Sequence, residues 1–259
     1  MKTKILQQNT REYTDSEMLV RIWAREDVQT VMAKRAYAQM NNERAKELDT
    51  LWVSSPEYTA TASYGKTWGF YVGMDNIREY YVNRYDAHLK EQLDYVCAAD
   101  PTVEKCPENL GIGTIQAHPL STPLIEISED GKTAKGLFYS IGQKTEIVED
   151  GTAKAYWIAQ KIGVDFVLEA DGWKIWHLSE IYDVVNEDGK DYKNTPYIYP
   201  DGHPLRAEFG TPTIEMLTHD ERFNWWDNYP PEPMPYVTMT DDISYGPEGH
   251  PDYQQKGVV

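Results

Sequence analysis

Five runs decide the fold: GIGTIQAH (111–118), PLIEIS (123–128), TAKGLFYSIG (133–142), AYWIAQKIGVDFVLE (155–169) and GWKIWHLSEIYDVV (172–185). The last four are separated by stretches containing EDG (129–131), EDG (149–151) and ADG (170–172). Asp-Gly between apolar runs is a strong hairpin signal, so these segments read as an antiparallel meander. On the last run, Trp173, Ile175 and His177 alternate on one face and Trp176 and Leu178 on the other. A strand apolar on both faces lies between two covered layers. The expected covers are helices on one side and a partner subunit on the other, which predicts a homodimer or a higher homo-oligomer.

Upstream, residues 16–53 read as helical. Met18, Leu19, Ile22 and Trp23, then Val31, Met32, Ala36, Tyr37 and Met40, recur at three- and four-residue spacings. A kink is expected at Asp27, and Asn41-Asn42 reads as a break before a shorter helix over 43–53. Residues 57–64 (EYTATASY) read as a strand, 65–73 as a turn-rich link, and 74–95 as a helix presenting Ile77, Tyr80, Tyr81, Arg84, Tyr85 and Leu89.

Downstream of residue 186 the composition changes, with ten of the chain's 15 prolines lying there. Proline fixes φ and removes a donor, so neither sheet nor bundle is expected, apart from a short helical stretch near 213–226. Aromatic residues such as Tyr229, Tyr236, Trp225 and Trp226 argue against a solvated tail. The division expected is a flexible N-terminus (1–15), an α+β body (16–185) and an extended C-terminal arm (186–259) packed on the body or on a partner.

The whole chain has 259 residues, 41% of them hydrophobic, and a net charge of −17. That acidity repels a phosphate backbone, which excludes nucleic acid as a general partner. No apolar run is long enough to span a bilayer, and the first residues lack the apolar core of a secretory signal. Cys97 and Cys106 read as free thiols, so a cytoplasmic location is expected. Nineteen Tyr and eight Trp against five Phe leave most rings with a polar atom to place, which suits a pocket or an interface.

In their order and spacing, DVQTVMAKRAYAQMNNERAKELDTLW (27–52), GMDNIREYY (73–81), HPLSTPLIEISEDGKTAKGLFYS (118–140) and DGWKIWHLSEIY (171–182) resemble the nuclear-transport-factor-2-like fold. The resemblance is to its SnoaL-like group of polyketide cyclases, dehydratases and isomerases, and it spans about residues 20–185. It implies a cone-shaped barrel of curved antiparallel sheet wrapped by N-terminal helices, with a deep, mostly apolar pocket. It also implies chemistry without metal or organic cofactor. Relative to the bile-acid dehydratase branch, His118 and Tyr37 fall on matching positions, whereas Asn42 stands where that branch has an acid. An Asn can accept an imidazole N–H but cannot stabilise imidazolium by charge.

The residues themselves support part of this. Thr114, Gln116 and His118 alternate on one strand face, where a plain core would carry Val or Leu. An imidazole can take and return a proton near neutral pH. Tyr37 is a candidate donor to a developing enolate, Asn42 a candidate orienter of His118, and Lys66 a candidate base or oxyanion holder. Tyr64, Arg78, Tyr81, Phe138, Trp157 and His177 are candidate substrate contacts, Arg78 as a steering cation for a carboxylate or phenolate. The six histidines show no metal-ligand spacing, and no phosphate-binding or Ser-hydrolase motif is present. The expected activity is a cofactor-free lyase or isomerase acting on an apolar, oxygenated ring compound of steroid, polyketide or phenylpropanoid type. The alternative is a non-catalytic binding protein using the same pocket for an apolar small molecule.

Overall fold

A computed structural model describes residues 12–189, 212–215 and 229–251. The expected helix near 213–226 and the arm aromatics Trp225 and Trp226 fall almost wholly outside them. Helix α1 (Asp15–Met40) starts at a capping box in which Thr14 and Glu17 each satisfy the other's backbone N–H. It runs past Asp27 without a break. It ends at Asn41, and Asn42 turns the chain at a φ of 56° into α2 (Arg44–Leu51). A single turn, α3 (Pro56–Thr59), replaces the first half of the strand expected at 57–64, because Ser55-Pro56 supplies a helix start. The expected link then forms a hairpin, β1 (Ser63–Lys66) and β2 (Gly69–Val72). The next helical run comprises α4 (Met74–Arg78), a π-wound stretch Glu79–Arg84 and α5 (Tyr85–Ala99). The extra residue per turn lets Tyr80, Tyr81 and Tyr85 all point inward.

The meander follows as β3 (Gln116–Ala117), β4 (Leu120–Ile127), β5 (Thr133–Ile147), β6 (Ala153–Glu169) and β7 (Gly172–Glu187). With β8 (Ile214–Glu215), these strands form one curved, open sheet in the order β3-β5-β6-β7-β1-β2-β8, with β4 also on β5. Every pair is antiparallel except β1 with β7, which is parallel. The sheet is therefore mixed rather than wholly antiparallel, and it does not close into a barrel.

The concave face packs on α1, α2 and the π-wound helix. Val28 and Met32 meet Ile162, Val164, Phe166 and Ile175 in the main core. The aromatic surplus is concentrated here. Tyr71 stacks on Tyr80 at 3.9 Å, and Tyr64 lies between Trp52, Tyr80 and Tyr81 at ring separations of 5.1–5.9 Å.

The convex face is covered over part of its area by the chain's own residues 229–251. Gly163 makes room for this contact, since a Cβ there would sit 2.6 Å from Pro230. Tyr245 N donates to Asp165 at 2.6 Å, and the Tyr229 and Ser179 hydroxyls both donate to the Tyr245 carbonyl. Tyr236 OH donates to Thr133. Over this stretch the cover expected from a partner subunit is supplied in cis. Among the described residues, no helix is long and apolar enough to cross a membrane.

Candidate active site

The concave face ends in a cavity of about 130 Å³. A cavity of about 150 Å³ holds benzene, so this one is on the scale of a single small ring. Tyr64 and Lys66 of β1, Gln160 of β6 and Glu180 and Tyr182 of β7 line it from the sheet. Gln39 of α1, Arg44 of α2 and Tyr80 and Tyr85 of the helical run line it from the helices. Gln116 and His118, two residues apart, enter along the β3 edge, as their alternation predicts.

His118 is set by a close strand crossing. A Cβ on Gly142 of β5 would lie 2.3 Å from the Ala117 carbonyl oxygen and 2.7 Å from His118 Nδ1. The imidazole is mostly enclosed, and its Nδ1 has no hydrogen-bond partner. Burial pushes the ring down to about 4 against the pull of Glu180, so it is neutral at pH 7. Nδ1 is buried against Gly142, so the nitrogen left to exchange a proton with a bound molecule is Nε2.

Behind it lies a dry ion cluster. Both Arg35 and Lys66 donate to Glu180, and Arg35 Nε lies 3.3 Å from Glu47. Tyr81 OH donates to Glu47 at 2.6 Å and accepts from Gln39 at 2.9 Å. Arg35 also reaches Tyr64 OH at 3.3 Å, and Lys66 reaches Tyr182 OH at 3.1 Å. Burial alone would raise Glu180, but Lys66 and Arg35 hold it well below the usual carboxylate range. Lys66 is in turn held above its ordinary value by Glu180 and Tyr182, which outweigh its burial. It is therefore a cation and a donor, not a base. Such a cluster contributes rigidity and field at a desolvation cost, and it is stable only because its charges are mutually paired.

Of the residues picked from sequence, His118, Lys66 and Tyr64 line this cavity. Tyr81 does not line it; its ring lies behind the lining residue Arg44, 4.5 Å from the guanidinium carbon. The others are corrected. Tyr37 is 66% exposed on the outer side of α1, because the buried stripe runs through Val28, Met32, Arg35 and Gln39. Asn42 accepts from Tyr85 OH at 3.3 Å and closes α1, and it does not satisfy the His118 Nδ1. Arg78 pairs with Asp49 at the surface. Phe138 sits deep in the apolar core, and Trp157 is 46% exposed on the convex face, its indole bonded to Asp188.

His177 is also on the convex face. It lies 2.9 Å from both Asp165 and Ser244 through the same Nδ1, so these three form an arm anchor rather than a relay. Lys135 completes the anchor at 2.7 Å from Asp165.

Arg35, Gln39, Arg44, Glu47, Gln160 and Glu180 are among the site residues that the sequence reading missed. The available signal was Arg35 and Gln39, an i,i+4 polar pair continuing an apolar stripe. Among the described residues, no three His, Cys, Asp or Glu side chains converge as a metal site.

Several solved structures of low sequence identity share the outline. A type-3 hexachlorocyclohexane dehydrochlorinase from Novosphingobium barchaimii is 12% identical with a TM-score of 0.46, and the match covers 71% of this chain and 99% of that one. An NTF2-like protein with a cystatin-like fold from Novosphingobium aromaticivorans is 15% identical with a TM-score of 0.41, covering 70% and 94%. The Kfla4162 protein of Kribbella flavida is 11% identical with a TM-score of 0.43, covering 66% and 95%. No curated protein matches the chain. The model of the SnoaL-like domain matches residues 20–179, more than half of the sequence, and the chain belongs to that family.

Proposed function

We propose that the protein is a cofactor-free lyase or isomerase acting on an oxygenated ring compound, with His118 as the proton-transfer group. The observation that carries this reading is the mostly enclosed, neutral imidazole of His118, which lines a ring-sized cavity beside a buried ion pair. His118 takes a proton from a carbon next to an electron-withdrawing group. The released electron pair then forms a double bond and expels a leaving group, or the proton returns at another carbon.

Glu180 favours imidazolium, as Asn42 cannot, but it offsets only part of the opposing burial and the Lys66, Arg35 and Arg44 charges. Of the three N–H bonds on the Lys66 ammonium, Glu180 and Tyr182 take two. The third is available to a substrate oxygen on which charge develops, in a site where water does not screen the interaction. Tyr64 and Tyr80 supply aromatic walls.

The test is incubation of chelator-treated protein with pooled phenylpropanoid, polyketide and steroid compounds, with products resolved by mass spectrometry. Loss of water, or an isobaric shift that disappears in His118→Ala, supports the reading. Retention of a compound in the pocket without conversion supports the binding-protein alternative instead.

A further inference from the structure

Arg44 is the one cation lining the cavity without an ion-pair partner among the described residues. Lys66 is paired with Glu180 and Lys144 with Glu146, while Arg35, behind the floor, bridges Glu47 and Glu180. Arg44 has instead a flat aromatic seat. Its guanidinium carbon lies 3.6 Å from the centre of the Tyr85 ring and 4.5 Å from that of Tyr81. One nitrogen, Nη2, donates to Gln116 Oε1 at 2.6 Å. Its Nε is buried and donates to nothing. Aromatic faces hold a guanidinium in place; with Nε closed off and one Nη2 hydrogen on Gln116, the Nη1–Nη2 end is the part that can meet a carboxylate in two parallel hydrogen bonds.

Charge bookkeeping agrees. Arg35, Arg44, Lys66 and Lys144 against Glu47, Glu146 and Glu180 leave +4 − 3 = +1 at the site, within a chain of net charge −17. A positive pocket in so acidic a protein would not select a neutral hydrocarbon ring over one carrying an anion. Gln116, which touches Arg44, is two residues from His118 on the same edge, so a group held at Arg44 lies beside the imidazole.

We propose that the substrate carries a carboxylate, which docks edge-on against Arg44 with Gln116 as a flanking amide and places the attached ring next to His118. This rests on the lyase or isomerase reading for its catalytic meaning, but not for its binding claim. It also moves the carboxylate-steering role expected of Arg78 to a different arginine.

The test uses matched probes: 4-hydroxybenzoate against 4-hydroxybenzamide, and trans-4-hydroxycinnamate against its primary amide, titrated calorimetrically at pH 7. The wild-type protein is expected to bind each carboxylate about ten- to a hundredfold more tightly than its amide, the range for a charge-assisted pair. Arg44→Gln is expected to erase that preference, and Arg44→Lys, which keeps the charge without the fork, to retain only part of it. If Arg44→Gln does not fold, the Arg44→Lys comparison stands alone, and an undiminished preference there overturns the proposal. Equal binding of acid and amide by the wild type overturns it as well. Carboxylate preference without conversion of any ring compound leaves this inference standing while sinking the lyase reading. Conversion without carboxylate preference does the reverse.

Discussion

Lys66 and Glu180 are direct register partners across the only parallel strand pair among the described residues, and their side chains form an ion pair in the wall of the cavity. The β1–β7 pairing is thus both a topological join and the placement of a charge beside His118. As register partners the two side chains share one face of the sheet, where Arg35 reaches the same carboxylate from α1.

Glu180→Gln is expected to be costly. It removes the shared anion and leaves Arg35 and Lys66 buried with less compensation, for which about 3–5 kcal/mol is typical. Chemical denaturation, with the slope checked for constancy, measures it. A loss under about 1 kcal/mol would show that the cluster is wetter than its burial indicates.

His118→Ala is expected to lower turnover by about 10²–10⁴, the usual contribution of a positioned proton-transfer group. Its melting temperature should stay within a few degrees of wild type, because the ring packs against a cavity rather than into the core. Kinetics and calorimetry on the same preparation check both halves.

Acidity gives a third expectation. Burial holds His118 at about 4, so the basic form that accepts the proton is already complete near pH 5. The acid limb of kcat/KM should therefore fall near pH 4 and not near the ordinary imidazole value of about 6.5. For stability, this histidine binds fewer protons folded than unfolded. Its contribution is whole above about pH 6.5 and is lost as pH falls toward 4. Asp165, held at about 2 by Lys135 and His177 despite its burial, keeps its contribution down to about pH 4 and loses it below, as pH falls toward 2. A limb at 6.5 would assign the essential proton to another group.

The arm anchor is separable from the site. Asp165→Ala removes the acceptor shared by Lys135, His177, Ser244 and the Tyr245 backbone N–H. It is expected to release residues 229–251 and to cost about 3–5 kcal/mol, mainly through the uncompensated Lys135 charge. Limited proteolysis should then cut within 229–251 well before the body. Unchanged protection of that segment would mean that the apolar contacts of Tyr229 and Pro230 hold it alone.

The meander, its Asp-Gly hairpins and the helix break at Asn41-Asn42 were legible because each depends on local signals: turn chemistry, alternation and spacing, whereas His118 was singled out mainly by the family resemblance. Two misplacements have definite causes. On β7 the register shifts at Trp176, between the Asp165–His177 and Phe166–Ile175 pairs. That one-residue bulge puts Ile175 and Leu178 on the same concave side and sends His177 to the convex one, which simple alternation cannot foresee. On α1, exposed apolar residues such as Ile22 (53% exposed) and Trp23 (64% exposed) shift the apparent phase of the helix and draw Tyr37 inward. The ion cluster was illegible for a different reason: Arg35, Glu47, Lys66 and Glu180 meet from four elements, and no local pattern links them.

Solvent isotope incorporation tests the central claim most directly. Wild-type protein and His118→Ala, both chelator-treated, are incubated in D₂O with any ring compound that the pocket retains, and deuterium on carbon is followed by mass spectrometry and NMR. The proton-transfer account requires the hydrogen on the carbon that His118 deprotonates to be lost from the substrate, with a double bond left there in an eliminated product or solvent deuterium at the reprotonated carbon of an isomerised one, in the wild type and not in the variant. Retention of the compound with every carbon-bound hydrogen kept, or the same rate of hydrogen loss or deuterium incorporation in His118→Ala, would contradict it.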